Sequence, residues 1–214
     1  SDHQVSQGFA QKAEDDFNNS MTRAQALRSL TFYWLVIAFG MFGITIQVML
    51  IQTVPFMTDA GYDRTTAALM ITIASVPAFV SKPIWGWLID GLQPKPLASI
   101  SAAITGGSLF VIVYGAHVAS LPILITGFAL LGFGWGGMIP LQEVIWASYF
   151  GRRYLGGVRS AAMPFSIMLT AGAPLATSYY YDVFGDYNGA ILIVAVANML
   201  SAVLILFLKK PNQP

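Results

Sequence analysis

The chain has 214 residues and a net charge of +1, with 56% hydrophobic and only 10% charged side chains; a soluble domain averages about 25% charged. A globule this apolar has too little polar surface to meet water, so an integral membrane protein is expected, and the near-neutral balance argues against nucleic acid as a partner. There are no cysteines, and the two histidines, His3 and His117, lie far apart without metal-ligand spacing, so disulfides and thiolate metal sites are excluded and no cofactor is expected.

Residues 1–30 are polar and lack the basic n-region, apolar run and small-residue cleavage site of a signal peptide. They read as a cytosolic linker or tail, disordered through about Asn19, with a short amphipathic piece at 21–30 leading into the membrane. Opening on Ser1 with a linker is what part of a longer protein would show. Six apolar segments follow at about 32–54, 65–89, 97–116, 121–145, 159–181 and 190–208. Each is long enough for a hydrocarbon core of about 30 Å, and too long for barrel strands of about 9–11 residues. The fold class is therefore an all-α membrane protein, with a six-helix bundle over residues 31–209 and a cytosolic tail at 210–214.

Orientation follows from the basic residues. One side collects Lys12, Arg23, Arg28, Lys95, Arg152, Arg153, Arg159, Lys209 and Lys210, and the other has Arg64 alone, beside Asp59, Asp63, Asp182 and Asp186. Both termini are expected in the cytosol. Trp85, Trp87, Trp146, Tyr149 and Tyr154 cluster near that side, as an interfacial aromatic belt would. In the fourth segment Gly132 and Gly136 have the small-xxx-small spacing that lets helices approach closely. Pro77 and Pro83 in the second segment, and Pro164 and Pro174 in the fifth, predict kinks. No inverted repeat is evident from the residues themselves.

Lys82 is the one cation well inside an apolar run. It stands about 12 Å from the polar turn at Asp90 at the helical rise of about 1.5 Å per residue. At the centre of a span such a charge costs roughly 2.5–3.5 kcal/mol. Three fates are open to it: contact with an anionic substrate, snorkelling to the interface, or a structural pair with Glu143.

Three stretches carry a resemblance. They are Gly86-x-x-x-Asp90-Gly91, the run from Tyr149 to Gly156 (YFGRRYLG), and Ala171-Gly172-Ala173-Pro174 followed by the run from Tyr181 to Tyr187 (YDVFGDY). In this order, with this helix count between them, they resemble the C-terminal half of a major facilitator superfamily transporter, in the monocarboxylate and oxalate:formate antiporter branch. The likeness covers residues 22–210. It departs at Gly91, where a basic residue usually follows the loop aspartate, and at Ala173, which parts a usual Gly-Pro pair. The resemblance implies a carrier of two six-helix halves, this chain being one and the N-terminal half missing from it. It also implies an arginine-like role for Lys82, whose Lys-Pro pair with Pro83 is similar to the Arg-Pro of monocarboxylate carriers.

The candidate substrate-binding residues are thus Lys82, Trp135 and Gln47, and the candidate coupling or gating residues are Asp90 and Glu143. Trp135, among small neighbours, is either an aromatic cavity wall or packing. Glu143 either carries a coupling proton or pairs with Arg152 or Arg153. Asp90 is either part of a gating loop or a solvated turn residue. Gln52, Tyr114 and Asn198 are polar groups that need partners in a dry medium, Asn198 by an interhelical hydrogen bond. The expected function is secondary active transport of a small organic anion, a mono- or dicarboxylate, across the plasma membrane by alternating access. The alternative is a non-transport sensor or assembly protein derived from a transporter half. An intramembrane enzyme is not expected, because no nucleophile–base pair, facing acids or metal cluster falls inside the segments.

Overall fold

The computed structural model describes residues 20–211; the disorder expected through Asn19 falls outside them. The described residues form helices α1 (Arg23–Arg28), α2 (Leu30–Asp59), α3 (Arg64–Val80), α4 (Lys82–Gly91), α5 (Pro94–His117), α6 (Leu121–Phe150), α7 (Leu155–Ala171), α8 (Ala173–Phe184) and α9 (Asn188–Phe207). Four of these, α2, α5, α6 and α9, are each long and apolar enough to cross a membrane, as is α3 continued by α4. The fifth predicted segment is present but divided. Neither α7, at 17 residues, nor α8, at 12, is comfortably a span alone.

Both divided spans are built alike. Ser81 interrupts the second span and Gly172 the fifth, and in each case the new helix carries proline at its second residue, Pro83 and Pro174. Proline has no N–H to donate four residues back, so the ladder loses a bond and the helix bends there. The piece before the break is 17 residues long in both spans. The two spans run in opposite directions and stand second and fifth of six, which is the placement an inverted three-plus-three repeat produces. Sequence alone hid it because the likeness lies in where the helices break and not in which side chains they carry.

Helix α6 is the centre of the bundle, packed against α5 on one side and α3 on another. Its glycines make this possible. A Cβ on Gly132 would land inside the shell of the Ala74 carbonyl oxygen, and one on Gly136 would lie 2.6 Å from that of Ala78. On the α5 side, Gly134 lies against Thr105, and the Ser101 hydroxyl donates to the Gly134 carbonyl at 2.7 Å. Hydroxyl-to-backbone bonds recur wherever small residues bring helices together. Ser99 donates to the Ala202 carbonyl and Ser201 to the Ala38 carbonyl, both at 2.7 Å. Asn198 donates to the Thr45 hydroxyl, tying α9 to α2 as an interhelical hydrogen bond should.

One expectation about side chains changes. Trp85, Trp146 and Tyr149 are not belt residues, being 1%, 1% and 4% exposed, whereas Trp87 is 75% exposed. An aromatic one turn inside the interface faces lipid or bundle according to helix rotation, which apolar composition does not reveal. Trp146 instead packs with Phe32 and Phe150 in the core at the basic end. Residues 20–28 also pack on the bundle: Met21 donates its N–H to the Phe150 carbonyl at 2.9 Å and is buried. Thr22 and Gln25 close a capping box at the start of α1.

At the opposite, acidic end, Asp63 caps α3, accepting from the Thr65 and Thr66 amides at 2.9 and 3.0 Å and from the Thr66 hydroxyl at 2.6 Å. The Thr66 hydroxyl and amide hold its carboxyl below the ordinary value of 3.8. A folded-state pKa below the unfolded one adds stability above the ordinary carboxylate range, and that contribution is lost as pH falls through the folded value. Asp63→Ala should therefore fray the first turn of α3 at neutral pH, with Asp63→Asn keeping most of the cap. The stability gap between wild type and Asp63→Asn should close on acidification below about pH 4. Thermal melts at stepped pH read this directly; a gap that widens in acid would refute the assignment.

Candidate functional site

The two divided spans are also the least covered. Only 22% of an 18-residue apolar window of residues 64–91 is buried, against 44–56% in the four unbroken spans. Along α7 and α8 the buried residues are Val158, Ala161, Ala162 and Thr177, while Met163, Ile167, Met168, Leu175 and Tyr179 are exposed. A bundle that leaves the second and fifth spans open presents them to something outside the described chain. Helices broken by proline near the midplane are also where membrane carriers place their ligands.

Lys82 is the first residue of α4, directly after the break at Ser81. Its side chain is exposed, and its ammonium lies 5.8 Å from the centroid of the Phe79 ring. Among the described residues no carboxylate pairs with it. The position is fixed from both neighbours. Ser81 donates its hydroxyl to the Phe133 carbonyl at 3.4 Å, and the Trp85 indole donates to the same carbonyl at 2.9 Å. The indole lies flat over Gly137, whose missing side chain leaves the room: a Cβ there would be 2.5 Å from the ring. Trp85 is thus an anchor that sequence reasoning missed. The signal was a tryptophan three residues after a cation, opposite a helix with glycine at 132, 134, 136 and 137.

Gln47 is exposed on α2. It continues the stripe of Gly40 and Gly43, which receive Leu169 and Thr170 at the end of α7. Gln47 therefore belongs to the face of α2 that meets the fifth span near its break, as Lys82 belongs to the break of the second. Gln52, five residues on, donates to the Pro174 carbonyl at 3.0 Å and the Ser178 hydroxyl at 2.8 Å. It holds the first turn of α8 in place, a role that its need for a partner foreshadowed.

Trp135 is partly buried and touches both apolar clusters of the bundle, with its indole N–H buried and unpartnered among the described residues. At about 100° per residue it lies on the far side of α6 from Gly137, where Trp85 sits. Glu143 does not pair with Lys82, Arg152 or Arg153: its partner is Arg159 of α7, at 2.5 Å. The Arg159 guanidinium also lies over the Trp146 ring, 5.4 Å from its centroid. Asp90 is exposed in the last turn of α4, bordering a shallow cleft of about 420 Å³ with Trp87 and Leu92. Clefts of about 510 and 560 Å³ lie at the basic end, and neither is lined by Lys82.

The family model described as Major Facilitator Superfamily matches residues 33–214. The chain is also similar to monocarboxylate transporter 13 of Rattus norvegicus, 28% identical over 155 residues, which is 71% of this chain and 35% of that protein. The corresponding protein of Bos taurus is 28% identical over 156 residues, with the same 71% and 35% coverage. The chain spans only about a third of the length of these relatives.

Proposed function

Because this chain belongs to the major facilitator superfamily, we propose that it is one six-helix half of a secondary transporter for small organic anions. The substrates would be mono- or dicarboxylates carried across the plasma membrane. Residues 31–209 form the transport bundle in this reading, residues 1–30 the link to an N-terminal half, and transport is alternating access as the two halves rock. The observation that carries it is Lys82: a cation inside a span, at a helix break, on the least covered face, with no acid paired to it among the described residues. A charge that stands inside an apolar span costs free energy there and is held most readily where it serves a function. In a cavity of low dielectric it attracts a carboxylate far more strongly than it would in water. Gln47 supplies a polar contact from the first span, and Trp135 a wall. The similarity to the monocarboxylate transporters supports the same substrate class.

Asp90 and Glu143 act in gating. An acid in the last turn of a helix opposes the macrodipole, so Asp90 costs α4 stability without a structural return in this conformation. Its use falls in another one, where it meets the opposite half. Glu143 ties α6 to the start of the fifth span through Arg159, so movement of that span must part or carry the pair.

The test is uptake by the complete two-half protein in proteoliposomes. A radiolabelled short-chain monocarboxylate should accumulate saturably, with unlabelled carboxylates competing and the matching amide failing to. Absence of both uptake and carboxylate binding would favour the sensor or assembly reading, for which the change at Gly91 speaks.

A further inference from the structure

The basic end holds a second constellation that transport does not use. A cleft of about 560 Å³ lies between α1, the start of α2 and the residues after α9, lined by Arg28, Lys209 and Lys210 with Gln25, Ser29 and Thr31. None of the three cations pairs with an acid among the described residues. Anchoring at a cytosolic surface explains basic residues near a span, but not what surrounds these. Two carbonyls at the edge of the cleft are covered. That of Leu208 accepts from the Lys95 ammonium at 2.6 Å and the Tyr149 hydroxyl at 3.1 Å, and that of Lys209 from the Thr31 hydroxyl at 3.3 Å. Ser29 leaves the N-terminus of the 30-residue helix α2 without a side-chain cap, and its first turn has no acid, so the positive end of α2 is open at the cleft, while Arg28, Lys209 and Lys210 offset the negative ends of α1 and α9.

The cleft does not end there. Through Thr31 and Lys209 it continues into an apolar groove of about 320 Å³ between α2 and α9, walled by Leu30, Trp34, Leu204 and Phe207. Leu30 and Phe207 are 73% and 77% exposed, and Trp34 is 42% exposed. A soluble anion has use for the first chamber only; an amphiphile with a negative head fills both. Basic pockets between helices on the cytosolic side suit anionic lipid headgroups, and tryptophan favours the headgroup level. We propose that this is a binding site for an anionic phospholipid, its phosphate among Arg28, Lys209 and Lys210 and an acyl chain in the groove between α2 and α9.

The experiment titrates the purified full chain in detergent with short-chain phosphatidylglycerol, phosphatidylcholine and inorganic phosphate, reading bound lipid by native mass spectrometry and stability by thermal melting. Phosphatidylglycerol should bind at one saturable site and raise the melting midpoint, with the other two much weaker. Arg28→Gln with Lys210→Gln, both exposed and so tolerated by the fold, should weaken phosphatidylglycerol by about 25-fold, roughly 5-fold per charge. Trp34→Ala should weaken it too. Phosphate binding as well as the lipid would make this a free-anion site. Phosphatidylcholine binding equally, or a double variant that binds phosphatidylglycerol normally, would leave an apolar groove without head recognition. Any of these overturns the proposal.

Discussion

Replacing Lys82 with alanine should lower carboxylate uptake by the complete carrier by about 100-fold in kcat/KM. Truncating one partner of a desolvated charge pair costs roughly 2–5 kcal/mol, and each 1.4 kcal/mol is about a factor of ten. Lys82→Arg should keep part of the activity, because the charge remains while its placement changes: guanidinium is a planar fork and ammonium a point. Trp85 and Ser81 both grip the Phe133 carbonyl, so the backbone at position 82 should stay put in either variant. Loss of uptake without loss of surface expression is the signature. Unchanged uptake in Lys82→Ala would mean that the ammonium only reaches for the interface, and the anionic substrate class would fall with it.

The apolar segments show where sequence reasoning is strong in this chain. Charge in an apolar run is visible without coordinates, and so were the segments, since hydrophobic length in a bilayer is a nearly one-dimensional signal. The Gly132 and Gly136 pair was legible for the same reason: helical spacing alone puts both on one face. What failed was whatever depends on helix rotation or on a choice among equals. Trp85 and Trp87 are two residues apart, and one is buried while the other is exposed; nothing in composition says which. Glu143 had three arginines within reach in sequence, and only Arg159, already on α7, meets it. The division of the fifth span at Gly172 was hidden because proline is tolerated in membrane helices, so Pro174 announced a bend without saying that the helix restarts.

The seam between α3 and α6 gives the second large effect. In most helices Gly→Ala is stabilising, by up to about 1 kcal/mol. Gly132→Ala should be the reverse here, because its Cβ would enter the Ala74 carbonyl, a backbone atom that cannot rotate aside. Overpacking of this kind costs about 1–3 kcal/mol. For a chain of this size about 2 kcal/mol corresponds to roughly 4–8 °C in melting midpoint. Gly136→Ala, against Ala78, should behave similarly. Gly86→Ala on α4 has no atom within 4 Å of the new Cβ, so it should melt at or above the wild-type temperature. The contrast separates close approach from any general intolerance of alanine. The consequence reaches the candidate site, since Ala74 and Ala78 lie on the helix that ends one residue before Ser81. Relief of the clash must lift α3 away from α6 and strain the Ser81 and Trp85 bonds that position Lys82. Gly132→Ala in the complete carrier should therefore lose uptake as well as stability, whereas Gly86→Ala should keep the stability of this bundle. Equal melting of Gly132→Ala and wild type would mean that the two helices do not meet as closely as their glycines allow.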